Sequence, residues 1–257
     1  MSQTYAYQPT MLIKYLRLLS AFGQAFWILW IQFPKLSKEH KLLAIQKWSQ
    51  KTLGILGIEV IHGTSPDARK SSVTPLLVVA NHVSWVDALI IQSIQPSIFV
   101  AKSEVQKWPV VGNIATACGV IFVDRGSPSS ARRMVDAVSS ALHHGYCVAG
   151  FPEGTSSEGT SVSLFHANIF EAAIHHQTLV QPLAIRYTQP HTGALCMKAA
   201  FIGDIGFVAS LHQVITASGI HAKVHVGDML SPHGHSRRTL AHLSHRSVAS
   251  QLELLSV

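Results

Sequence analysis

Residues 75–87 read PLLVVANHVSWVD, an apolar run followed at once by polar residues. A buried strand that ends in this way delivers polar side chains to a cleft at its carboxyl end. The S-x-x-D spacing from Ser84 to Asp87 predicts a capping box, with a helix that begins just beyond His82. Two interpretations of His82 follow. It is a general base oriented by the Asp87 carboxylate, or it is an inert neighbour of a helix cap.

Strand-like and helical stretches alternate along the rest of the chain. Strands are predicted at residues 58–63, 76–81, 97–102, 119–125, 146–151, 179–187, 195–203 and 221–228. Helices are predicted at residues 87–93, 109–118, 129–144, 166–176, 205–217 and 236–255. Alternation of this kind predicts an α/β fold, with a mixed, mostly parallel sheet covered by helices.

The N-terminal part has a different pattern. Residues 18–33, LLSAFGQAFWILWIQF, carry no charge. This run is shorter than the ~20 residues that span a bilayer comfortably, so a short span and an interfacial or re-entrant helix both remain open. A cleaved signal peptide is a third interpretation. Residues 37–54 predict a second, amphipathic helix that starts at a serine cap. The predicted domains are therefore a membrane-associated helical hairpin, residues 1–54, and an α/β domain, residues 55–257.

Charge is concentrated in the same part of the chain. Residues 1–70 hold nine lysines and arginines and three acidic residues, which accounts for most of the net charge of +7. The remainder is nearly balanced, which argues against a nucleic-acid partner. A basic segment interleaved with Trp27, Trp30 and Trp48 is typical of contact with an anionic membrane surface.

Several common kinds of site are excluded by their missing motifs. The chain has no GxSxG nucleophile elbow, no GxG dinucleotide fingerprint and no Walker loop. The three cysteines, Cys118, Cys147 and Cys196, are far apart and predict neither disulfides nor a metal framework. The histidine pairs lack further ligands at a suitable spacing, so no metal and no bound cofactor are predicted.

Two other predicted strands also end in polar residues. In GVIFVDRG, residues 119–126, Arg125 either offers a fork of donors suited to a phosphate or carboxylate or is a surface ion-pair partner of Asp124. In VAGFPEGTSSEG, residues 148–159, the turn at Gly154 either exposes backbone N–H groups to an anion or is a plain turn.

Taken together, these segments resemble the glycerolipid acyltransferase family, which includes the 1-acylglycerol-3-phosphate acyltransferases. Asn81, His82 and Asp87 match its HxxxxD motif, and the stretches GVIFVDR, FPEG and VQPLAI match the second, third and fourth motifs. AKSEVQKWPVVG, with Lys102 and Pro109, is also similar. The resemblance runs from about Lys51 to Asp228.

The resemblance implies an O-acyltransferase that moves a fatty acyl group from acyl-CoA or acyl carrier protein to a lyso-lipid hydroxyl. The first acceptor implied is 1-acylglycerol-3-phosphate, giving phosphatidic acid in phospholipid biosynthesis. His82 is expected to act as general base and Asp87 to orient it. The residues expected to bind substrate are Lys102, Arg125, Glu153, Gly154 and Thr155.

The family pattern has an arginine where this chain has Ser156. That departure leaves lyso-ornithine lipid or another lyso-lipid open as the acceptor, and a non-catalytic membrane lipid-binding protein as a different class of function. The expected partners are membrane lipids and the acyl donor, and the expected location is the cytoplasmic face of the inner membrane. The sequence predicts no oligomeric state.

Overall fold

The computed structural model describes residues 11–64, 75–124 and 127–255. Within these ranges, seven strands form one sheet in the order β1-β7-β6-β2-β5-β3-β4. All neighbours are parallel except β6 and β7, so β1 and β7 run opposite to the other five. The prediction of a mixed, mostly parallel sheet is confirmed. The strands are β1 Ile58–Thr64, β2 Leu77–Ala80, β3 Ile98–Lys102, β4 Ile121–Val123, β5 Val148–Gly150, β6 Val180–Thr188 and β7 Ile220–Val226.

The helices fall where the periodicity predicts them, with short additions at the turns. The first helix continues as a π-helical turn, Ile28–Gln32, and a 3₁₀ turn, Phe33–Lys35. The α-helices are α1 Met11–Trp27, α2 Lys38–Leu56, α3 Val86–Ile94, α4 Ser103–Gln106, α5 Val111–Ala117, α6 Pro128–His143, α7 Asn168–His175, α8 Phe207–Ile215 and α9 Arg237–Leu254.

The strand predicted at 195–203 is wrong. Leu195 makes a single bridge to Thr188, and the chain then forms a 3₁₀ turn at Met197–Ala199. A strand that continued this antiparallel pairing along β6 would need the N–H and C=O groups of Ile185. Both groups are already bonded to the side chain of Asn81. The segment therefore leaves the sheet, and Phe201 N–H donates to the carbonyl of Val83 instead.

The central strands of the sheet are buried on both faces. In β2, Val78 and Ala80 pack into one core while Leu77 and Val79 pack into the other. The first core is covered by α1, α2, α3 and α8, and the second by α6, α7 and α9. Continuous burial of this kind explains why β2 reads as an apolar run rather than an alternating one.

The two N-terminal helices pack on the sheet through the first core. Leu18 of α1 and Leu53 and Leu56 of α2 are buried there, and Trp48 donates from Nε1 to the carbonyl of Ala21 at 2.8 Å. The serine cap is confirmed, because the Ser37 side chain accepts from the N–H of His40 at 3.4 Å.

The helical stretch Met11–Lys35 is longer than the uncharged run, and by length and composition it is the one stretch of the described residues able to cross a membrane. One side of it is apolar and exposed to solvent. We call this the α1 stripe, and its residues are Leu12, Leu16, Leu19, Trp27, Trp30 and Ile31.

Candidate active site

Parallel neighbours bring the predicted motifs to one edge of the sheet. Strand β5 lies between β2 and β3, and all three run in the same direction. Their carboxyl ends therefore meet, which places the turn after β2, the turn after β5 and Lys102 at the end of β3 around one cleft. This is the physical reason that segments 20 to 70 residues apart in sequence form a common site.

His82 and Asp87 form a hydrogen-bonded pair in this cleft. His82 Nδ1 lies 2.8 Å from Asp87 Oδ2, and the Asp87 side chain is fully buried whereas 21% of the His82 side chain is exposed. Because a carboxylate only accepts, Nδ1 carries the proton and Nε2 holds the lone pair. The imidazole also stacks on Phe151, with ring centroids 4.1 Å apart, so the ring is held from two directions.

The predicted capping box is present in part, since the helix begins at Val86 with Trp85 rather than Ser84 at the N-cap position, and its bonds also fix the Asp87 carboxylate. Ser84 Oγ accepts from the N–H of Val86 at 3.3 Å, while Asp87 Oδ2 accepts from the N–H groups of Val83 and Ser84 at 2.7 and 2.8 Å. The carboxylate that contacts His82 therefore also caps the helix, so the two interpretations of this turn describe the same geometry.

The other Asp87 oxygen has a partner that the sequence motifs do not reveal. Tyr187, on β6, donates its hydroxyl to Asp87 Oδ1 at 2.6 Å, and both side chains are buried. Burial and the neighbouring carboxylate raise the pKa of the Tyr187 phenol well above its usual value, so the hydroxyl stays protonated and donates.

Asn81 joins the same turn to β6. Its side-chain amide donates to the carbonyl of Ile185 at 2.9 Å and accepts from the Ile185 N–H at 2.8 Å. The side-chain amide thus makes the two hydrogen bonds to β6 that one more backbone residue of β2 would make, although β2 ends at Ala80. The bonds from Asn81 and Tyr187 together fix the histidine turn to a central strand.

Glu153 holds the histidine turn from the other side. It is 5% exposed, and its two carboxylate oxygens accept from the N–H groups of His82 and Ser163, both at 2.7 Å. Burial raises the pKa of this carboxyl group, and the two backbone donors oppose the shift. Ser157 N–H also donates to the carbonyl of His82 at 2.9 Å, so the turns after β2 and β5 are locked together.

A large cavity opens at this edge. Its volume is about 1290 Å³, larger than the ~300–1,000 Å³ of most ligand pockets. His82, Lys102 and Glu153 lie on its wall, and the apolar part is lined by residues of α1, of α2 and of the segments 99–124 and 127–134. A mostly apolar cavity with polar residues at its His82 end suits a molecule with a reactive head and a hydrocarbon chain.

The other predicted substrate-binding residues are placed as follows. Lys102, Gly154 and Thr155 line the cavity, and Gly154 has the positive φ of +72° that its turn requires. Arg125 lies outside the described residues. Ser156, at the position of the family arginine, donates its hydroxyl to the carbonyl of Phe201, so this side chain is bonded to backbone at the cavity wall.

Among the described residues, no group of three histidine, cysteine or acidic side chains is close enough together to hold a metal ion. The three cysteines are free thiols, and Cys147 and Cys196 are buried.

Comparison with known proteins agrees with this geometry. A family model described as Acyltransferase matches residues 62–186. The lyso-ornithine lipid O-acyltransferase of Pseudomonas aeruginosa is 33% identical over 205 residues, which cover 78% of this chain and 75% of that protein. The chain belongs to the glycerolipid acyltransferase family. It is accordingly an O-acyltransferase of lipid biosynthesis.

Other members of the glycerolipid acyltransferase family are similar over comparable lengths. The lyso-ornithine lipid O-acyltransferase of Rhizobium meliloti is 34% identical over 207 residues, covering 74% of this chain and 68% of that one. The 1-acyl-sn-glycerol-3-phosphate acyltransferase of Neisseria gonorrhoeae is 32% identical over 191 residues, covering 74% and 71%. The crystal structure of PlsC, the LPA acyltransferase of Thermotoga maritima, has the same fold, with a TM-score of 0.69 and 20% identity over 96% of this chain and 95% of that one.

Proposed function

We propose that this enzyme transfers a fatty acyl group from a thioester, acyl-CoA or acyl carrier protein, to the hydroxyl of a lyso-lipid. His82 Nε2 takes the proton of the acceptor hydroxyl as its oxygen attacks the thioester carbonyl. The C–S bond then breaks, and the imidazolium returns the proton to the leaving thiolate. The observation that carries the proposal is the His82–Asp87 pair, whose free nitrogen lies at the polar end of an apolar cavity.

Asp87 keeps the imidazole in the correct tautomer and stabilises the imidazolium during transfer. Tyr187 and Asn81 act as positioning residues, because they touch the Asp87 carboxylate and the histidine turn rather than the cavity. Glu153 is assigned the same role, since both of its oxygens are bonded to backbone. Lys102 and Thr155 are the described polar residues that we assign to the acceptor head group.

The first acceptor proposed is 1-acylglycerol-3-phosphate. Lyso-ornithine lipid is the second candidate, and Ser156 favours it because a hydroxyl bonded to the Phe201 carbonyl supplies no positive charge for a phosphate. Sequence identity to the three relatives described above does not separate the two, since they carry both names and are 32% to 34% identical.

We also propose that residues 1–54 dock the enzyme on the cytoplasmic face of the inner membrane. The α1 stripe is apolar and solvent-exposed, and the segment around it is basic, as an anionic leaflet requires. Docking lets the enzyme take its lipid acceptor from the leaflet without transfer through water. The proposed reaction requires no metal and no bound cofactor.

The test is transfer of a labelled acyl group from acyl-CoA and from acyl carrier protein to a panel of lyso-lipids. The panel contains lysophosphatidic acid and lyso-ornithine lipid, with wild type beside His82→Ala and Asp87→Asn. Loss of the general base is expected to lower the rate by about 10²–10⁴-fold. His233→Ala, an exposed histidine in a loop, is the matched control and should leave the rate unchanged.

Two results would contradict the proposal. A His82→Ala enzyme that keeps the wild-type rate would remove His82 from the chemistry. Absence of transfer by folded wild type to every acceptor would instead favour a lipid-binding protein without turnover.

A further inference from the structure

An open apolar groove lies beside the cavity, in the layer of α1 and α8. Its volume is about 870 Å³, and it is formed by α1, the turn at 108–109 and residues 206–213. None of the residues that line it is a lysine, arginine, aspartate or glutamate. Because apolar surface is more stable away from water, an open groove with an uncharged and mostly apolar lining suits an apolar chain.

Two hydrogen bonds fix the α1 side of the groove to α8. Tyr15 Oη lies 2.6 Å from His212 Nδ1, and Lys14 donates to the carbonyl of Ile215 at 3.0 Å. Residues four apart share a helix face, so Val208 lies one turn from His212 on the side that meets α1. Val208 is nevertheless 73% exposed.

The groove adjoins the α1 stripe through Tyr15, the residue of α1 that lines it. Leu12 and Leu19 are within one turn of Tyr15 on α1, and they are 67% and 68% exposed. The exposed apolar surface that we assign to the leaflet therefore extends across Tyr15 to the start of α8.

The groove also adjoins the cavity. Trp108, Phe207 and Leu211 line both spaces, and the Trp108 and Phe207 rings lie 4.9 Å apart. These three side chains form the wall between the groove and the cavity that contains His82.

We propose that this groove receives the hydrocarbon chain of the lyso-lipid acceptor from the leaflet and guides it past the Trp108–Phe207 wall to His82. The inference rests on the proposed function. A chain that moves along the groove stays in contact with apolar side chains from the leaflet to the cavity, so its hydrophobic surface is not exposed to water on the way.

The first test fills the groove without adding charge. Ala209 is exposed and lines the groove but not the cavity, so Ala209→Trp should block the chain while leaving the active site intact. With a long-chain lyso-lipid in phosphatidylethanolamine/phosphatidylglycerol vesicles, transfer should fall about tenfold, the effect of about 1.4 kcal/mol. Vesicle binding, measured by flotation, should stay at the wild-type level, as should transfer to a short-chain lyso-lipid dissolved as monomers. Ser250→Trp, at an exposed position of α9, is the control.

The second test asks whether the edge of the groove meets lipid. Val208→Glu should lower transfer from vesicles by about tenfold or more. In the proposal, the solvent-exposed Val208 side chain contacts lipid, and the substitution places a charge there. Leu254→Glu is matched to it, since Leu254 is 64% exposed on α9, in the opposite layer. It should leave transfer from vesicles unchanged.

If Ala209→Trp and Val208→Glu transfer acyl groups from vesicles at the same rate as their α9 controls, the proposed role of the groove is wrong. The acyltransferase proposal would be unaffected by that result. A wild type that transfers to neither the vesicle-bound nor the monomeric acceptor would overturn the proposed function, and the groove with it.

Discussion

Tyr187→Phe is the most direct test of how the site is held. The substitution keeps the ring and removes the hydroxyl that donates to Asp87 Oδ1 at 2.6 Å. Asp87 is fully buried, and within the described residues no other hydrogen bond to Oδ1 is seen, whereas Oδ2 keeps three donors. Phenylalanine therefore leaves a buried carboxylate oxygen without a partner.

The expected cost follows from that geometry. A hydrogen bond to a charged group contributes about 1.5–3 kcal/mol to stability. For a chain of this size, each kcal/mol corresponds to roughly 2–4 °C, so the melting temperature should fall by about 3–12 °C. The N–H groups of Val83 and Ser84 still hold Oδ2 toward His82, so kcat should fall by only about tenfold, which corresponds to about 1.4 kcal/mol of the barrier. KM should stay unchanged, because Tyr187 does not line the cavity.

The assay is steady-state acyl transfer with the preferred acceptor, combined with thermal unfolding. Tyr146→Phe is the control, since Tyr146 is a half-buried tyrosine under the Lys38 ammonium. The reasoning is refuted if Tyr187→Phe leaves both kcat and the melting temperature at wild-type values. A raised KM with unchanged kcat would refute it differently, by placing Tyr187 in acceptor binding.

Three further changes test the other contacts around the turn. Asn81→Leu leaves the buried N–H and C=O of Ile185 unpaired, so the free energy of unfolding should fall by about 1–3 kcal/mol for each group, measured by urea denaturation. Glu153→Gln removes a carboxyl whose pKa is raised by burial. In wild type, the raised pKa means that the native state binds the Glu153 proton more tightly than the unfolded state does. The stability of wild type relative to Glu153→Gln should therefore decrease as pH rises above about 4.5. Gly159 has a φ of +76°, and a Cβ there would lie 2.8 Å from a Val83 methyl group, so Gly159→Ala should reduce both kcat and the melting temperature.

Each of these has a control and a contrary outcome. Glu158→Gln, at an exposed position, should show no pH-dependent difference from wild type, and a flat difference for Glu153→Gln would contradict its burial argument. Unchanged unfolding of Asn81→Leu would show that water replaces the amide. Gly203→Ala also has a positive φ but no atom within 4 Å of its Cβ, so it should lower stability without lowering kcat.

Much of the fold is local in origin and therefore predictable. The turn from Ser84 to Asp87 and the Ser37 cap depend on backbone groups within four residues, and the apolar run of β2 is visible in residue types alone, so the sequence indicates all three. The strand predicted at 195–203 fails because pairing is not a local property. The edge of β6 with which residues 195–203 would pair is occupied by the side chain of Asn81, which is 104 residues from Ile185 in sequence.

The sequence by itself determined the alternation of strands and helices, the basic apolar N-terminus and the motif that places His82 beside Asp87. These depend on residue type and short spacing, and they carry the family resemblance. Only the tertiary structure decided that Tyr187 donates to Asp87 across 100 residues, that both Glu153 oxygens accept from backbone N–H groups at the cavity wall, and that α8 lies beside α1. The physical reason is the strand order, because β2 lies between β6 and β5, and strands far apart in the chain bring their side chains to the same carboxyl edge.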